Sequence, residues 1–512
     1  MRVSLMQTWT TWLRRCALCA GALALAILSS TRAMGAQSID IGLATRGERI
    51  EALLVESASR KAPVVVLLGG LSGNDASSQA VRAAVARHEL ARHRGFTLLA
   101  VPVANPDSAA LRFPPAGVAY RDNPESHVLW RWLGALAPDL VLIAGNDAGL
   151  AAALGAGKVA DMGRIPARAW SGDLADLPAA KSIPRSDARQ ELERRRARSP
   201  RELATQLAQR YGRSFDQPWY IEAIALIARS RLGELDDVQR LARPWVDGTK
   251  DPLARPNALI MAGHIVFTDL YRRSKDPSYL AAVRRVADLG FDARGQMLEA
   301  MPFHGEYSDS VFMGTVIAAQ AGALTGERRY FDMADRHLRF MERLDRRPDG
   351  LYRHQPAADA AWGRGNGFAA LGLALTLSEL PRDTAAYRHA QESYRALMDA
   401  LLPHQNRDGL WRNVIDHPGA YPEFTATAMI GFALQRGLDQ GWIRGRAYRR
   451  AVAQAWTAVN SRTSTTGTFI DVCESTTRMT SLDQYLKRAA ILGDDPRGGA
   501  MALLFATELM EK

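Results

Sequence analysis

The turn DGLYR at residues 349–353 returns as DGLWR at residues 408–412, and this echo indicates a repeated structural unit. Tyrosines that open amphipathic stretches recur around it. They stand at Tyr279, Tyr330, Tyr387 and Tyr448. Their spacing of about 50 to 60 residues suits one pair of helices per unit.

Stretches of small and apolar residues alternate with these amphipathic stretches, at 316–324, 369–377 and 426–437. Small side chains let helices approach closely, so we expect these stretches to form an inner layer and the charged helices an outer one. Units of this size cannot bury an apolar face alone. The roughly 310 residues from 206 onward hold about six helix pairs, which predicts an all-α (α/α)6 toroid for residues 206–512, with an open solenoid as the alternative.

The chain is predicted to be multidomain, because residues 40–170 follow a different pattern. Apolar strand runs at 63–68, 96–103 and 140–144 alternate with helical stretches, which is typical of an α/β domain with a mostly parallel sheet. Residues 171–205 carry Ala, Pro, Asp and a dense run of arginines. We interpret them as a linker whose arginines are solvated.

Residues 1–36 read as a secretory signal peptide, since Arg14 and Arg15 precede a short apolar run and then small residues. An uncleaved anchor is the alternative, and no later stretch is apolar enough to span a membrane. Cys473 is the one cysteine beyond this segment, so no intrachain disulfide is expected. A periplasmic or secreted location follows.

The net charge of +11 comes without the aromatic-basic pattern of nucleic-acid binders, so no nucleic-acid partner is expected. The sequence does not fix the oligomeric state.

Residues 309–368 hold the candidate site. Asp309 begins an inner helix beside Phe312 and Met313, whose low polarity would raise its pKa as a general acid requires. Helix capping is the alternative for this aspartate. His354 follows the repeated turn, and a purely structural histidine is the alternative there.

Arg364 stands between Gly363 and Gly365, where the backbone can come close to a ligand and the guanidinium can grip a carboxylate with two bonds. Trp362 beside it offers a flat face for a sugar ring. No strand precedes these glycines and no Lys-Ser/Thr follows, which excludes a phosphate loop. No metal or cofactor is predicted.

Four motifs in order resemble the unsaturated uronyl hydrolases of glycoside hydrolase families 88 and 105, over roughly residues 206–505. They are Asp-x-x-Phe-Met at 309–313, Gly-Leu-x-x-His at 350–354, Trp-x-Arg-Gly-Asn-Gly-aromatic at 362–368 and Glu-x-Thr-x-Thr-Ala-Met at 423–429. The resemblance implies an unsaturated acidic oligosaccharide as substrate. It also implies a mechanism in which one acid protonates C4 of the terminal uronate and then activates the water that attacks C5.

By this resemblance Asp309 is the catalytic acid/base and His354, Trp362, Arg364 and Phe368 line the substrate site. Phe368 stands where the family usually has Trp. The family also places a second Asp just before the helix that corresponds to residues 258–271, and Asn257 is the nearest polar substitute here. No metal is implied.

The first domain resembles the zinc carboxypeptidase and succinylglutamate desuccinylase-like fold, through GGLSGND at 69–75, VANPD at 103–107 and PDLV at 138–141. The resemblance implies zinc ligands at three positions, which here hold Ser72, Asp75 and Gly145. Because Ser and Gly do not supply these ligands, we expect a zinc-free accessory domain. A Ser72 nucleophile is the alternative.

Three functions follow from these features. The leading prediction is a hydrolase that releases a terminal 4,5-unsaturated uronate from lyase-generated oligosaccharides. The alternatives are a non-catalytic carbohydrate-binding or scaffold protein, favoured by the missing second aspartate, and a polysaccharide lyase, which would need a Tyr/His pair at the site.

Overall fold

A computed structural model describes residues 35–510, apart from Lys158, Leu174, Ala175 and Pro178. The predicted signal segment, residues 1–36, lies almost wholly outside the described residues. Within the described ranges, no helix is both long enough and apolar enough to cross a membrane.

The N-terminal domain is built on a six-stranded sheet of order β1-β2-β4-β3-β5-β6. Its strands are β1 Gln37–Leu43, β2 Arg49–Val55, β3 Val64–Leu68, β4 Thr97–Val101, β5 Leu140–Ala144 and β6 Ala167–Trp170. The three strands predicted from sequence, β3, β4 and β5, pair in parallel, and β6 extends that parallel part. The sheet is nevertheless mixed, because β1 and β2 join it antiparallel.

Helices cover the two faces of this sheet. They are α1 Ala76–Leu90, α2 Pro124–Leu136 and α3 Leu150–Gly155. The β3, β4 and β5 strands are almost entirely apolar and buried, as expected of strands covered on both sides. Separate apolar clusters lie on the two faces, so the domain has the layered α/β core predicted from its alternating pattern.

The segment predicted as a solvated linker is folded, and that prediction is wrong for its second half. Helices α4 (Asp187–Ala197) and α5 (Pro200–Ala208) occupy it. Arg189 and Arg195 of α4 are 8% and 1% exposed, and Arg195 pairs with Glu191 at 2.7 Å. These two arginines are buried because one face of α4 packs on the first domain and another on the toroid, whereas Arg194 of the same run is exposed.

The C-terminal part is a closed ring of six helix pairs within the described residues. The inner helices are α6 Tyr220–Arg231, α8–α9 (Ala258–Gly263, Ile265–Ser274), α11–α12 (Ser310–Met313, Thr315–Thr325), α14 Gly363–Leu377, α16 Phe424–Asp439 and α19 Pro496–Glu508. Each inner helix contacts the next, and α19 contacts α6. The predicted toroid is thus confirmed over the open solenoid.

Outer helices complete the pairs. They are α5, α7 Leu235–Ala242, α10 Pro277–Ala287, α13 Arg328–Asp345, α15 Ala385–Leu401 and α17 Arg446–Ser461. Small residues do bring inner helices together: a Cβ on Gly372 of α14 would lie 2.5 Å from the carbonyl oxygen of Val311 in α11. Single 3-10 turns lie at Ala180–Ser182, Arg243–Trp245, Asp288–Gly290 and Leu402–His404.

The toroid is not purely α-helical, which corrects the prediction. Two short antiparallel pairs, β7 with β8 and β9 with β10, lie at one end of the ring. Their bounds are β7 Trp411–Arg412, β8 Pro422–Glu423, β9 Phe469–Cys473 and β10 Ala490–Gly493, with α18 Leu482–Leu486 between the last two. This end, where the long loops from outer to inner helices gather, is called the mouth below.

The first domain is docked against the mouth loops by a buried polar cluster. The rings of Tyr120 and Tyr421 stack with centroids 4.3 Å apart, and the Tyr120 hydroxyl donates to Asp471 at 3.0 Å. Asp471 also pairs with Arg131 at 2.7 Å and with Arg462 at 3.1 Å. Because these charges are shielded from water, the contact fixes the two domains relative to each other.

Candidate functional site

Asp309 lies at the mouth, at the start of α11, and its side chain caps nothing. Although it occupies the N-cap position, its carboxylate accepts no capping hydrogen bond, so the capping alternative is wrong. The side chain is 24% exposed, and its buried Oδ1 has no hydrogen-bond partner among the described residues. Oδ1 of Asp309 is therefore not engaged by any described residue, while part of the side chain remains exposed at the mouth.

The surroundings of Asp309 favour its protonated form. Burial raises the pKa of Asp309 to about 7, although the positive charge of Arg364 acts in the opposite direction. Phe312 and Met313, which follow it in α11, are buried. A carboxyl group whose pKa lies near neutral pH can donate a proton and take it back, which is what general acid–base catalysis requires.

His354 lies next to Asp309, as predicted, and is enclosed by aromatic rings. Its Nε2 lies 3.8 Å from Oδ1 of Asp309, and its Nδ1 is hydrogen-bonded to the Tyr485 hydroxyl at 2.8 Å. Tyr307 stacks on its ring and Trp362 contacts it edge-on. Burial, with Arg364 nearby, lowers the pKa of His354 to about 3, so this imidazole is neutral.

Arg364 and Trp362 are almost fully buried beside the site. Arg364 is 3% exposed and donates to the carbonyl oxygens of Cys473 and Glu474 at 2.6 and 2.5 Å. Its guanidinium lies over the Trp362 ring, 5.0 Å from the centroid, and Trp362 is 2% exposed. Arg364 thus binds the backbone at the end of β9, and the parts of Trp362 and Arg364 in substrate binding stay predictions.

Phe368 belongs to the core. Its ring lies between Phe312, 5.7 Å away, and Tyr220, 5.4 Å away, and it is 1% exposed. Tyr220 begins α6, across the ring from α14, so the Phe368 side chain points toward the ring axis; its contact with substrate stays a prediction.

Asn257 caps the inner helix α8. Its side-chain oxygen accepts a hydrogen bond from the backbone N–H of Ile260 at 3.0 Å, which satisfies one of the free donors at a helix start. The residue is half-buried, and its part in substrate binding stays a prediction.

Tyr307 and Tyr485 are site residues that the sequence reasoning missed. Tyr307 stands two residues before Asp309, and its place next to the motif could have drawn attention to it. Tyr485 lies in α18, 131 residues from His354 in sequence. The segment that carries it is further fixed to the mouth by Asn413, whose Nδ2 donates to the Tyr485 carbonyl at 2.7 Å.

Asp345 is a second buried carboxyl group that the sequence did not reveal. It ends α13, is fully buried, and neither side-chain oxygen has a hydrogen-bond partner among the described residues. Burial raises the pKa of Asp345 to about 8; Arg353 opposes this shift and Asp309 adds to it. Backbone bonds run from Arg353 to Asp345 at 2.9 Å and from Ser308 to His354 at 2.9 Å. They connect the segments that carry the two carboxyl groups.

Glu423, in the fourth motif, has a structural role. It caps α16 through the backbone N–H groups of Thr425 and Ala426, at 3.1 and 2.5 Å. The same carboxylate accepts the N–H of Cys473 at 2.9 Å. Glu423 and Arg364 thus both bind the backbone at the end of β9, which fixes one wall of the site.

Across the ranges that the structure describes, no three His, Cys, Asp or Glu side chains gather into a set that could bind a metal.

The positions at which the zinc-peptidase resemblance implies ligands hold Ser72, Asp75 and Gly145. Asp75 caps α1 by accepting from the N–H groups of Ser77 and Ser78, and Ser72 is exposed. Gly145 has a φ of +82°, which a side chain would disfavour. The likeness of this domain to zinc peptidases stays a prediction.

Curated relatives match the C-terminal part. The Unsaturated rhamnogalacturonyl hydrolase YesR of Bacillus subtilis is 23% identical over 299 residues, which cover 54% of this chain and 84% of YesR. An Unsaturated 3S-rhamnoglycuronyl hydrolase of Formosa agariphila is 33% identical over 100 residues, and that match spans 19% of this chain and only 26% of the relative.

Solved structures share the fold. A possible member of the GH105 family from Salmonella enterica aligns over 61% of this chain and 95% of its own, with a TM-score of 0.53 at 19% identity. A glycosyl hydrolase family 88 protein from Bacteroides vulgatus aligns over 61% and 99%, with a TM-score of 0.51 at 15% identity. These likenesses concern the toroid.

The family assignment rests on the sequence itself. The model of Glycosyl Hydrolase Family 88 matches residues 236–512, more than half of the chain. This range contains five of the six inner helical segments, Asp309 and all four motifs. The chain belongs to glycosyl hydrolase family 88.

Proposed function

We propose that this protein removes the terminal 4,5-unsaturated uronate from acidic oligosaccharides that a polysaccharide lyase has produced. The observation that carries the proposal is Asp309, a carboxyl group at the mouth with a pKa near 7 and an oxygen without a partner among the described residues. A vinyl ether needs a proton on carbon, and a carboxyl group that is still protonated at neutral pH is suited to deliver it. The names of the curated relatives support the same substrate class.

The reaction needs one acid that works twice. Asp309 gives its proton to C4 while positive charge develops at C5 and the ring oxygen. The Asp309 carboxylate then takes a proton from the water that attacks C5, which restores the acid. The hemiketal at C5 opens to a ketone by breaking its bond to the ring oxygen, which leaves a hemiacetal at C1; this hemiacetal collapses to an aldehyde and releases the neighbouring sugar. Overall, one water is consumed and Asp309 returns to its starting state.

The neighbours of Asp309 have distinct roles in this proposal. His354, neutral and fixed by Tyr485, offers Nε2 to a substrate hydroxyl or to the attacking water beside Asp309. Arg364 tunes the acid from behind, because its charge limits how far burial raises the pKa of Asp309. The signal-like N-terminus supports a periplasmic or secreted location, where such oligosaccharides would be met.

A buried Tyr/His pair bears on the lyase alternative. Tyr485 and His354 form the hydrogen-bonded Tyr/His pair that a lyase site would use. Both side chains are buried, at 0% and 2% exposure, so neither meets an intact polymer. Hydrolysis is favoured because Asp309, whose pKa near 7 lets it carry a proton at neutral pH, is partly exposed at the mouth.

The test follows the absorbance of the conjugated uronate in lyase-generated pectic, glycosaminoglycan and ulvan fragments. We expect the wild type to abolish this absorbance on one of them and Asp309→Asn to leave it unchanged. Asp359→Asn is the matched control, since Asp359 is an exposed aspartate on the same mouth. An increase on intact polysaccharide would identify a lyase. Binding of a fragment without any loss of absorbance would identify a binding protein.

A further inference from the structure

A cavity of about 370 Å³ lies between the two domains. The first domain contributes β1, part of β2 and α2 to its wall, and the toroid contributes residues 406–412 and the end of α17. Its volume falls within the range of small-molecule sites, roughly 300–1,000 Å³. Strand β9 separates it from the Asp309 site: Asp471 lines the cavity, while Cys473, two residues on, is held by Arg364.

Positive charge dominates this cavity. Six arginines and three aspartates line it. Asp471 neutralises two of the arginines, Arg131 and Arg462, and Arg407 is engaged by Gln37 and Glu56 of the first domain. The arginines that remain are Arg189, Arg196 and Arg412.

Arg189 is a buried arginine in the wall of this cavity. It is 8% exposed, and its buried Nε and Nη2 have no hydrogen-bond partner among the described residues. The acid that most stabilises its charge is Asp139, whose carboxylate already accepts from Val64, Ser186 and Arg185. Burial lowers the pKa of Arg189 to about 10, so it stays cationic at neutral pH. A buried cation whose charge is only partly offset is unfavourable, and an anion in the cavity that Arg189 lines would offset that charge further.

Arg412 faces the same space from the toroid. Burial lowers the pKa of Arg412, and Asp40 and Asp408 offset this only through space. Arg189 and Arg412 both line this cavity, and a planar guanidinium group can bind a carboxylate with paired hydrogen bonds. Trp132, half-buried, and the polar Ser38 and Thr97 complete the wall. An aromatic face with scattered polar groups is the lining that a sugar ring needs.

We infer that this interdomain cavity is a second binding site, separate from Asp309, for a sugar acid whose carboxylate sits between Arg189 and Arg412. The choice of a sugar acid rests on the proposed function, whereas the need for an anion rests on the arginines alone. The first domain, in which Ser72 and Gly145 stand at the positions of zinc ligands, thereby gains a function of its own. It supplies half of an acidic-sugar site at the rim of the toroid.

Titration calorimetry on the full chain tests this with galacturonate, a saturated sugar acid that the enzyme cannot turn over, and with galactose, its neutral counterpart. We expect saturable binding of galacturonate and at least tenfold weaker binding of galactose. Arg189→Gln and Arg412→Gln should each weaken galacturonate binding at least tenfold. Arg194→Gln is the matched control on α4, because Arg194 is 74% exposed; it should bind like the wild type.

Thermal unfolding of each variant completes the experiment. Since the buried charge of Arg189 is unfavourable and its Nε and Nη2 lack a partner among the described residues, Arg189→Gln should not lower the midpoint of the unligated protein, and it should lose the increase that galacturonate produces. The inference is overturned if the wild type binds no galacturonate, if all three variants bind it equally, or if inorganic sulfate binds as tightly as galacturonate. Since no unsaturated substrate is present, these results hold whether or not the chain turns one over.

Discussion

Nε2 of His354 lies 3.8 Å from Oδ1 of Asp309, yet the two groups form no ion pair. The imidazole is neutral, because burial lowers the pKa of His354 to about 3, and the carboxyl group is protonated up to about pH 7. The separation is too long for a direct hydrogen bond. A hydroxyl group placed beside both could contact each of them, so the pair leaves room for a reactant while the proton stays on Asp309.

The first prediction concerns the pH dependence of the reaction. Asp309 must be protonated in the free enzyme to act as the acid, so kcat/KM should be constant in acid and decrease tenfold per pH unit above about 7. Rates on an unsaturated oligosaccharide, measured from about pH 5 to 9, would check this. A profile that is flat through neutral pH would remove Asp309 from the role of acid.

A second prediction separates the two possible roles of Arg364. Its positive charge lowers the pKa of Asp309 against the effect of burial, so Arg364→Gln should move the decrease in kcat/KM to higher pH. Arg343→Gln, which changes an exposed arginine of α13, should leave the profile in place. If KM increases instead while the profile stays, Arg364 binds the substrate carboxylate.

The toroid was predictable because its signal is periodic. Tyr279, Tyr330 and Tyr387 all begin or lie in the first turn of outer helices that pack on inner ones. Asp309 and His354 were both assigned to the site from the motifs that carry them, and they lie next to each other in the structure. Local pattern and ring geometry agree at these positions, and that agreement made the prediction possible.

The remaining part of the site depends on contacts that no local pattern carries. Arg364 binds carbonyl groups 109 and 110 residues away, so its orientation was not visible from the glycines beside it. Asp345 ends a charged outer helix, where an aspartate usually faces water. It is buried because the loop after it folds back, with the N–H of Arg353 donating to its carbonyl.

Tyr485 provides a third prediction. Its hydroxyl holds Nδ1 of His354, and Tyr485→Phe leaves a buried nitrogen without that partner, at a cost of about 1–3 kcal/mol. We expect kcat/KM to decrease about tenfold through misplacement of the imidazole. Tyr448→Phe is the control, because that hydroxyl contacts Asp399 on the outer layer. Equal activity of Tyr485→Phe and wild type would make the bond purely structural.

Asp345 leads to a fourth prediction, about stability. Burial raises its pKa from 3.8 to about 8, so between these pH values the folded chain binds a proton that the unfolded chain has lost. The free energy of unfolding must therefore decrease as pH rises through this range. Asp345→Asn should remove about 1–3 kcal/mol of that decrease, measured by urea unfolding at several pH values. Asp332→Asn, an exposed change on the same helix, should keep the wild-type slope, and equal slopes in all three proteins would contradict the prediction.

The last prediction concerns the junction of the two domains. Asp471 is buried between Arg131 and Arg462, and Asp471→Asn would leave two buried guanidinium groups with a neutral partner. Removing one member of such a cluster costs about 3–5 kcal/mol. The φ of +63° at this residue suits Asn as well as Asp, so the substitution adds no backbone strain. Urea unfolding should show this loss, together with faster proteolysis between the domains.

Asp161→Asn is the matched control, because Asp161 accepts a hydrogen bond from Thr468 at the exposed edge of the same junction. Since an exposed contact contributes little, this control should unfold like the wild type. If Asp161→Asn lost as much free energy of unfolding as Asp471→Asn, the burial of the Asp471 cluster would not be what holds the domains together.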